Sequence, residues 1–167
     1  YSLLGRHNFT FNPDGSYVTV KQTLCASDSS CPAGAYFVET TSVSNGPDKK
    51  VYFDNKGLKL LEKTQVLENV LNNTISWSQK RYFYDSLNRL KSESVSHFDG
   101  DLAAYNSSSV PLGYSFIKYD IYQRVISTRK PDGGLWITTY DGLVSTLKNP
   151  NLMKTTTEKN VLGEVIS

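Results

Sequence analysis

Two cysteines, two histidines and a surplus of aromatic and acidic side chains are the groups through which this chain could do chemistry. Cys25 and Cys31 enclose Ala26-Ser27-Asp28-Ser29-Ser30. A C-x5-C loop can close as a disulfide in an oxidising compartment or stay as two thiols in a reducing one, and the deciding Cα separation is not written in the sequence. One thiol pair with no neighbouring histidine supplies too few ligands for structural zinc. His7 and His97 stand far apart, and nothing has the spacing of H-E-x-x-H, G-x-S-x-G or a P-loop. Asp99-Gly100-Asp101 lacks the further oxygens and closing Glu of a calcium loop, so it reads as a solvated turn. Carboxylates are numerous, yet no spacing makes two of them converge as a glycosidase requires. The expectation is a non-enzymatic chain with no metal and no cofactor. Trp77 and Trp136 are the rings best suited to stack on a sugar, which supports an alternative reading as a carbohydrate-binding or adhesive β-module.

Composition says what must position these groups. The 11 Tyr, 7 Phe and 2 Trp, with abundant Thr, Ser and Val and little Ala, suit a pleated, half-buried surface better than a helix. The 18 Lys and Arg against 16 Asp and Glu leave a net charge of +2, and the basic residues are scattered along the sequence. Neither nucleic acid nor an anionic membrane is offered an obvious handle. No apolar run exceeds four residues, too short for a membrane-spanning helix or a signal-peptide core. The chain opens on Tyr1 and its only methionine is Met153, so it is expected to be a piece of a larger parent protein, whose remainder is its first partner.

Strand and turn signals alternate along the chain. Asn8 to Phe11, the turn Asn12-Pro13-Asp14-Gly15 and Ser16 to Val20 form the clearest hairpin, because Pro presets φ, Asp offers an acceptor and Gly tolerates φ > 0. Further strands are expected at 35–44, 49–54, 75–78, 81–84, 115–119, 125–128 and 135–140, with turn clusters at Asn45 to Asp48, Asp99 to Asp101, Asn106 to Gly113, Pro131 to Gly134 and Asn149 to Asn151. Leu58 to Asn73 is ambiguous: Leu60, Leu61, Leu67, Val70 and Leu71 sit near helical spacing, but Lys59 to Val66 also fits an amphipathic strand, the preferred reading. The fold expected is all-β, an antiparallel meander of repeated β-hairpins forming an open sheet or a segment of a larger spiral. Residues 1–48 would be an N-terminal hairpin region carrying the cysteine loop, and 49–167 a repeat region, the two forming one continuous unit.

The repeat is visible in the residues themselves. Tyr84-Asp85-Ser86-Leu87-Asn88-Arg89-Leu90 matches Tyr119-Asp120-Ile121-Tyr122-Gln123-Arg124-Val125, and Phe53-Asp54-Asn55-Lys56-Gly57-Leu58-Lys59 matches more loosely. Weaker copies lie at Tyr140-Asp141-Gly142 and at Asn160 to Val165, where Gly163 takes the turn slot. In this string the aromatic ends a strand, Asp accepts backbone N–H bonds as in an Asx turn, and Gly57, Asn88 and Gly163 supply a positive φ. Gln123 departs from that preference, so it is either strained or marks another turn type. The arginine stem can cover a neighbouring aromatic, and stacked hairpins would align tyrosines across strands.

The string resembles the YD repeat of the RHS family, found in large bacterial and some animal cell-surface proteins. The resemblance spans about Lys49 to Ser167, supported by the Pro131-Asp132-Gly133 lead-in to Tyr140-Asp141 and by the entry Val51-Tyr52-Phe53-Asp54, a spelling similar to the start of the repeat region in insecticidal toxin complexes and their relatives. The spacings Asp54 to Asp85 and Asp85 to Asp120, 31 and 35 residues, exceed the family period of about twenty, which implies insertions at Leu67 to Asn73 and Asp101 to Gly113. The resemblance implies a secreted or cell-surface protein whose repeats build a β-sheet shell enclosing or presenting a toxin or effector polypeptide. That family's self-cleaving segment uses Asp-Pro motifs, and no Asp-Pro occurs here, so self-cleavage is not assigned.

Overall fold

A computed structural model of the chain describes residues 8–27, 30–44, 46–69, 74–98 and 113–166. The turn at Asp99 to Asp101, the cluster Asn106 to Gly113 and both inferred insertions fall wholly or largely outside these residues. The described residues form twelve strands: β1 (Asn8–Phe11), β2 (Tyr17–Leu24), β3 (Phe37–Val43), β4 (Lys49–Phe53), β5 (Lys59–Asn69), β6 (Thr74–Tyr84), β7 (Leu90–Ser94), β8 (Tyr114–Tyr119), β9 (Val125–Arg129), β10 (Leu135–Asp141), β11 (Val144–Lys148) and β12 (Lys154–Glu158). Their hydrogen-bonded order is chain order, which makes the all-β fold an open antiparallel meander. No α-helix occurs among the described residues; the exception to strand and turn is one short 3-10 turn, Cys25–Ser27. Lys59–Asn69 is a strand despite its leucine spacing, because β4 and β6 pair with it on both sides and bury Leu61. The two segments expected at 75–78 and 81–84 are one long strand, β6. Strands β7, β11 and β12 carry little apolar alternation, and neighbour pairing makes them strands.

The chain divides into two compact units, Tyr1–Phe83 with Ser96–Ala103 and Tyr84–Val95 with Ala104–Ser167. In the first, register assigns the faces, since directly opposed residues share a face and neighbours along a strand alternate. One cross-strand row runs Thr23, Val38, Tyr52, Leu61, Arg81. Val38, Tyr52 and Leu61 form a buried cluster, against which Cys25, Cys31 and Ala35 pack, while Val51 is buried on the other face. The cysteine loop therefore roofs the row. On the opposite face Phe37 and Phe53 are directly paired and their rings stack at 4.8 Å.

The second unit buries less. Among its described residues Tyr114 is the buried large side chain, beside Ser92 and Ser94. Burial of Ser92 is satisfied by its hydroxyl donating to the Ser115 carbonyl at 2.7 Å, in keeping with the rule that buried polar groups find partners. What else holds this unit lies in its turns.

Candidate functional site

Seven hairpin turns among the described residues share one backbone pattern: the N–H of residue i donates to the carbonyl of i+4, and the N–H of i+3 donates to the carbonyl of i. They begin at Asn12, Asp54, Asp85, Asp120, Lys130, Asn149 and Asn160. Residue i+3 has positive φ in every one: Gly15, Gly57, Asn88, Gln123, Gly133, Leu152 and Gly163. Asp54, Asp85 and Asp120 thus occupy equivalent bends, as does Asn160. In these four the side-chain Oδ1 accepts from the N–H groups of i+2 and i+4 at 2.8–3.0 Å, orienting the turn from inside. Gln123 makes the same turn as its glycine and asparagine counterparts, with φ of 66°. Tyr140-Asp141 does not: Asp141 pairs directly with Val144 around Gly142-Leu143, a two-residue hairpin of different geometry.

Asp85 and Asp120 add an arginine at i+4. Arg89 and Arg124 each donate Nε–H to the Oδ2 of their own turn aspartate at 2.7 Å. The same guanidiniums lie over a tyrosine ring at or next to the end of the second strand that follows: Arg89 is 4.4 Å from the Tyr119 centroid in β8 and Arg124 is 4.1 Å from that of Tyr140 in β10. Each tyrosine hydroxyl then donates to the carbonyl following the arginine, Tyr119 to Leu90 at 2.9 Å and Tyr140 to Val125 at 3.0 Å. Turn, arginine and tyrosine form a clasp that is built twice. The contact that orders Tyr119 and Tyr140 is with a guanidinium. Tyr140 consequently keeps its role in the repeat although Asp141 leaves it.

The charges fit this arrangement. The Arg89 side-chain and backbone N–H bonds hold the Asp85 carboxyl below the usual range. At Asp120 partial burial pushes upward, but the N–H bonds and charge of Arg124 outweigh it and the net direction is again down. In the first unit Glu62 is lowered to about 2, because hydrogen bonds and charge from Lys49 and Lys59 overcome the upward push of burial. None of these is a group poised to exchange protons near neutrality. Each is an ion pair at work in the fold.

The remaining candidates are placed as follows. Cys25 and Cys31 are joined as a disulfide, with Cα atoms 5.7 Å apart. Phe53 stacks on Phe37, and Gly57 and Gly163 are the positive-φ residues of their turns. Tyr84 ends β6. Trp77 and Trp136 are half-buried and lie in different units, each with a lysine ammonium over its ring, Lys50 at 5.5 Å and Lys130 at 5.1 Å. One face of each indole is thereby taken. No cluster of three or more metal-ligating side chains occurs among the described residues. Two features leave little signal in the sequence. The Asn149 turn was recognisable only as a turn cluster, because Leu152 hides its positive φ. The reach of each arginine to the following tyrosine depends on strand register, although the Arg-to-Tyr order along the repeat was its signal. Compared with known protein families and with curated proteins, the chain matches none.

Proposed function

We propose that this chain is a non-enzymatic structural segment of a larger secreted or cell-surface protein of the RHS, or YD-repeat, kind. Its hairpins form part of a β-sheet wall that encloses or presents a toxin or effector polypeptide. The single observation that carries the reading is the clasp. The residues that define the repeated string, Asp85, Arg89, Tyr119, Asp120, Arg124 and Tyr140, are spent on holding turns and adjacent strands to one another. A wall needs that use of its side chains, whereas an active site needs polar groups left free to meet a substrate. Such a segment has no need of a cofactor, nucleic acid or membrane insertion.

The test is the structure of the longer polypeptide in which this chain is embedded, together with limited proteolysis of it. The expected result is that the meander continues at both ends and that a polypeptide beyond it is protected from protease until the sheet is breached. A chain that stands alone as a closed domain, with nothing protected, overturns the reading. Saturable binding on a glycan array, lost in Trp77→Ala or Trp136→Ala, would replace it with the adhesive alternative.

A further inference from the structure

Register gathers three lysines that are scattered in the sequence. On the face of the first unit that carries the buried core, the next row but one along the strands runs Lys21 on β2, Thr40 on β3, Lys50 on β4, Lys63 on β5 and Gln79 on β6. The opposite face behaves differently. There Lys49 and Lys59 are each within 2.9 Å of a Glu62 oxygen, and Gln22 donates to Glu39. The acids of β3 and β5 whose side chains are described thus lie on the face away from the lysine row. Among the described residues Lys21, Lys50 and Lys63 form no ion pair. Asp48, which immediately precedes β4 and donates its N–H to Gln65, is the carboxylate nearest to them in register and pairs with none of them.

Spacing selects the occupant. Neighbouring strands are about 4.8 Å apart, so the three ammonium stems stand at roughly 0, 10 and 14 Å along a line across the strands. An α-helix presents residues i, i+7 and i+10 or i+11 on one side, at about 0, 10.5 and 15–16.5 Å. Side chains on one face of an extended strand fall every ~6.7 Å and miss the middle position. Ligands that bind by ring stacking are less well served. The Trp77 face beside the row is under Lys50, and the exposed rings of Phe9, Phe11 and Tyr17 on the same face pack on one another with centroids 4.9–6.2 Å apart. Single-stranded nucleic acid needs free ring faces for its bases. We propose that the Lys21–Lys50–Lys63 row is a docking site for an acidic helical segment of a partner polypeptide, with carboxylates at i, i+7 and i+10 or i+11.

The test uses the full chain and three labelled probes at low salt, read by fluorescence anisotropy. One is a helical peptide with Glu at i, i+7 and i+11, the second has the same composition with those glutamates spread around the helix, and the third is single-stranded oligothymidylate. The first should bind saturably and more tightly than the other two. Lys50→Glu with Lys63→Glu should weaken it about tenfold, and the charge-matched control Lys91→Glu with Lys154→Glu should leave it within about twofold. Lys50→Gln with Lys63→Gln, an intermediate loss, covers the case in which charge reversal disturbs folding, which circular dichroism will report. Equal binding of the two peptides, equal loss in the control, tighter binding of the oligonucleotide, or no saturable binding at all each overturns the proposal.

Discussion

The two units reach stability by different routes. The first buries a row of apolar side chains, Val38, Tyr52 and Leu61, under a disulfide-closed loop. The second, with Tyr114 as its buried large side chain among the described residues, fastens its hairpins at their ends through Asp–Arg–Tyr clasps. A single sheet layer offers little interior, so one solution roofs part of a face and the other shifts the stabilising contacts to the turns. Deletions should separate the two. Leu61→Ala removes a buried side chain and leaves a gap beneath the cysteine loop, a loss of about 3 kcal/mol. Reducing Cys25–Cys31, which reopens a short loop, should remove about 2 kcal/mol. In both cases hydrogen exchange should accelerate in β3 to β5 far more than in β8 to β11; equal acceleration throughout would show that the clasps depend on the roofed core.

The reciprocal change is Arg89→Ala or Arg124→Ala. Each removes a charge-assisted bond to the turn aspartate and the cover of a tyrosine ring, worth about 1 kcal/mol at such partly exposed positions. Urea titration should show the loss, with exchange rising in β7 and β8 for Arg89 and in β9 and β10 for Arg124. Lysine should restore little, since a compact ammonium cannot bond the carboxylate and lie flat on the ring together. Full recovery in Arg124→Lys would reduce the clasp to simple charge attraction.

How far this contrast could be read from residue order differs between the units. The aromatic-Asp strings located the two clasped turns at Asp85 and Asp120 and the turn without an arginine at Asp54, because an Asx acceptor and a positive-φ residue leave a local signature. The hairpin around Asn12-Pro13-Asp14-Gly15 was legible for the same reason. Leu152 hid the equivalent turn at Asn149, since leucine is no marker of positive φ. The roofed row was not legible, because Val38, Tyr52 and Leu61 meet only once the register of β3, β4 and β5 is set. Lys21, Lys50 and Lys63 looked scattered on the same account. Strands β11 and β12, rich in Thr, Ser and Lys, became strands through pairing that no local periodicity announces.

Acid acts on both units with the same sign but through different pairs. Asp85 and Asp120 titrate lower in the folded chain than in the unfolded one, so their stabilisation is complete above the unfolded carboxylate range near pH 4 and is lost as pH falls through the depressed folded values. Glu62, lowered to about 2, does the same in the first unit. Arg89→Ala with Arg124→Ala should flatten the acid limb of the pH–stability curve below about pH 4 for the second unit, and Glu62→Gln should flatten it for the first. An unchanged limb in the double arginine variant would remove the ion pair from the account of the clasp.

The smallest effect concerns the backbone beneath the clasp. Gln123 and Leu152 hold φ of 66° and 65°, where Gly57 and Gly163 serve equivalent turns. A side chain in the left-handed region costs about 1–2 kcal/mol, partly offset because glycine loses more freedom on folding, by roughly 0.5–1 kcal/mol. Both side chains are exposed, so little packing is sacrificed. Gln123→Gly and Leu152→Gly should each therefore stabilise by about 0.5 kcal/mol, seen as a higher urea midpoint at constant slope. The pair also sharpens the comparison of turns with and without an arginine, because Gln123 sits inside the Asp120–Arg124 clasp and Leu152 in a turn whose i+4 residue is Met153. Equal gains would mean that the turn backbone carries its strain independently of the arginine. A gain at Leu152 alone would mean that the clasp, once closed, already holds Gln123 where it lies.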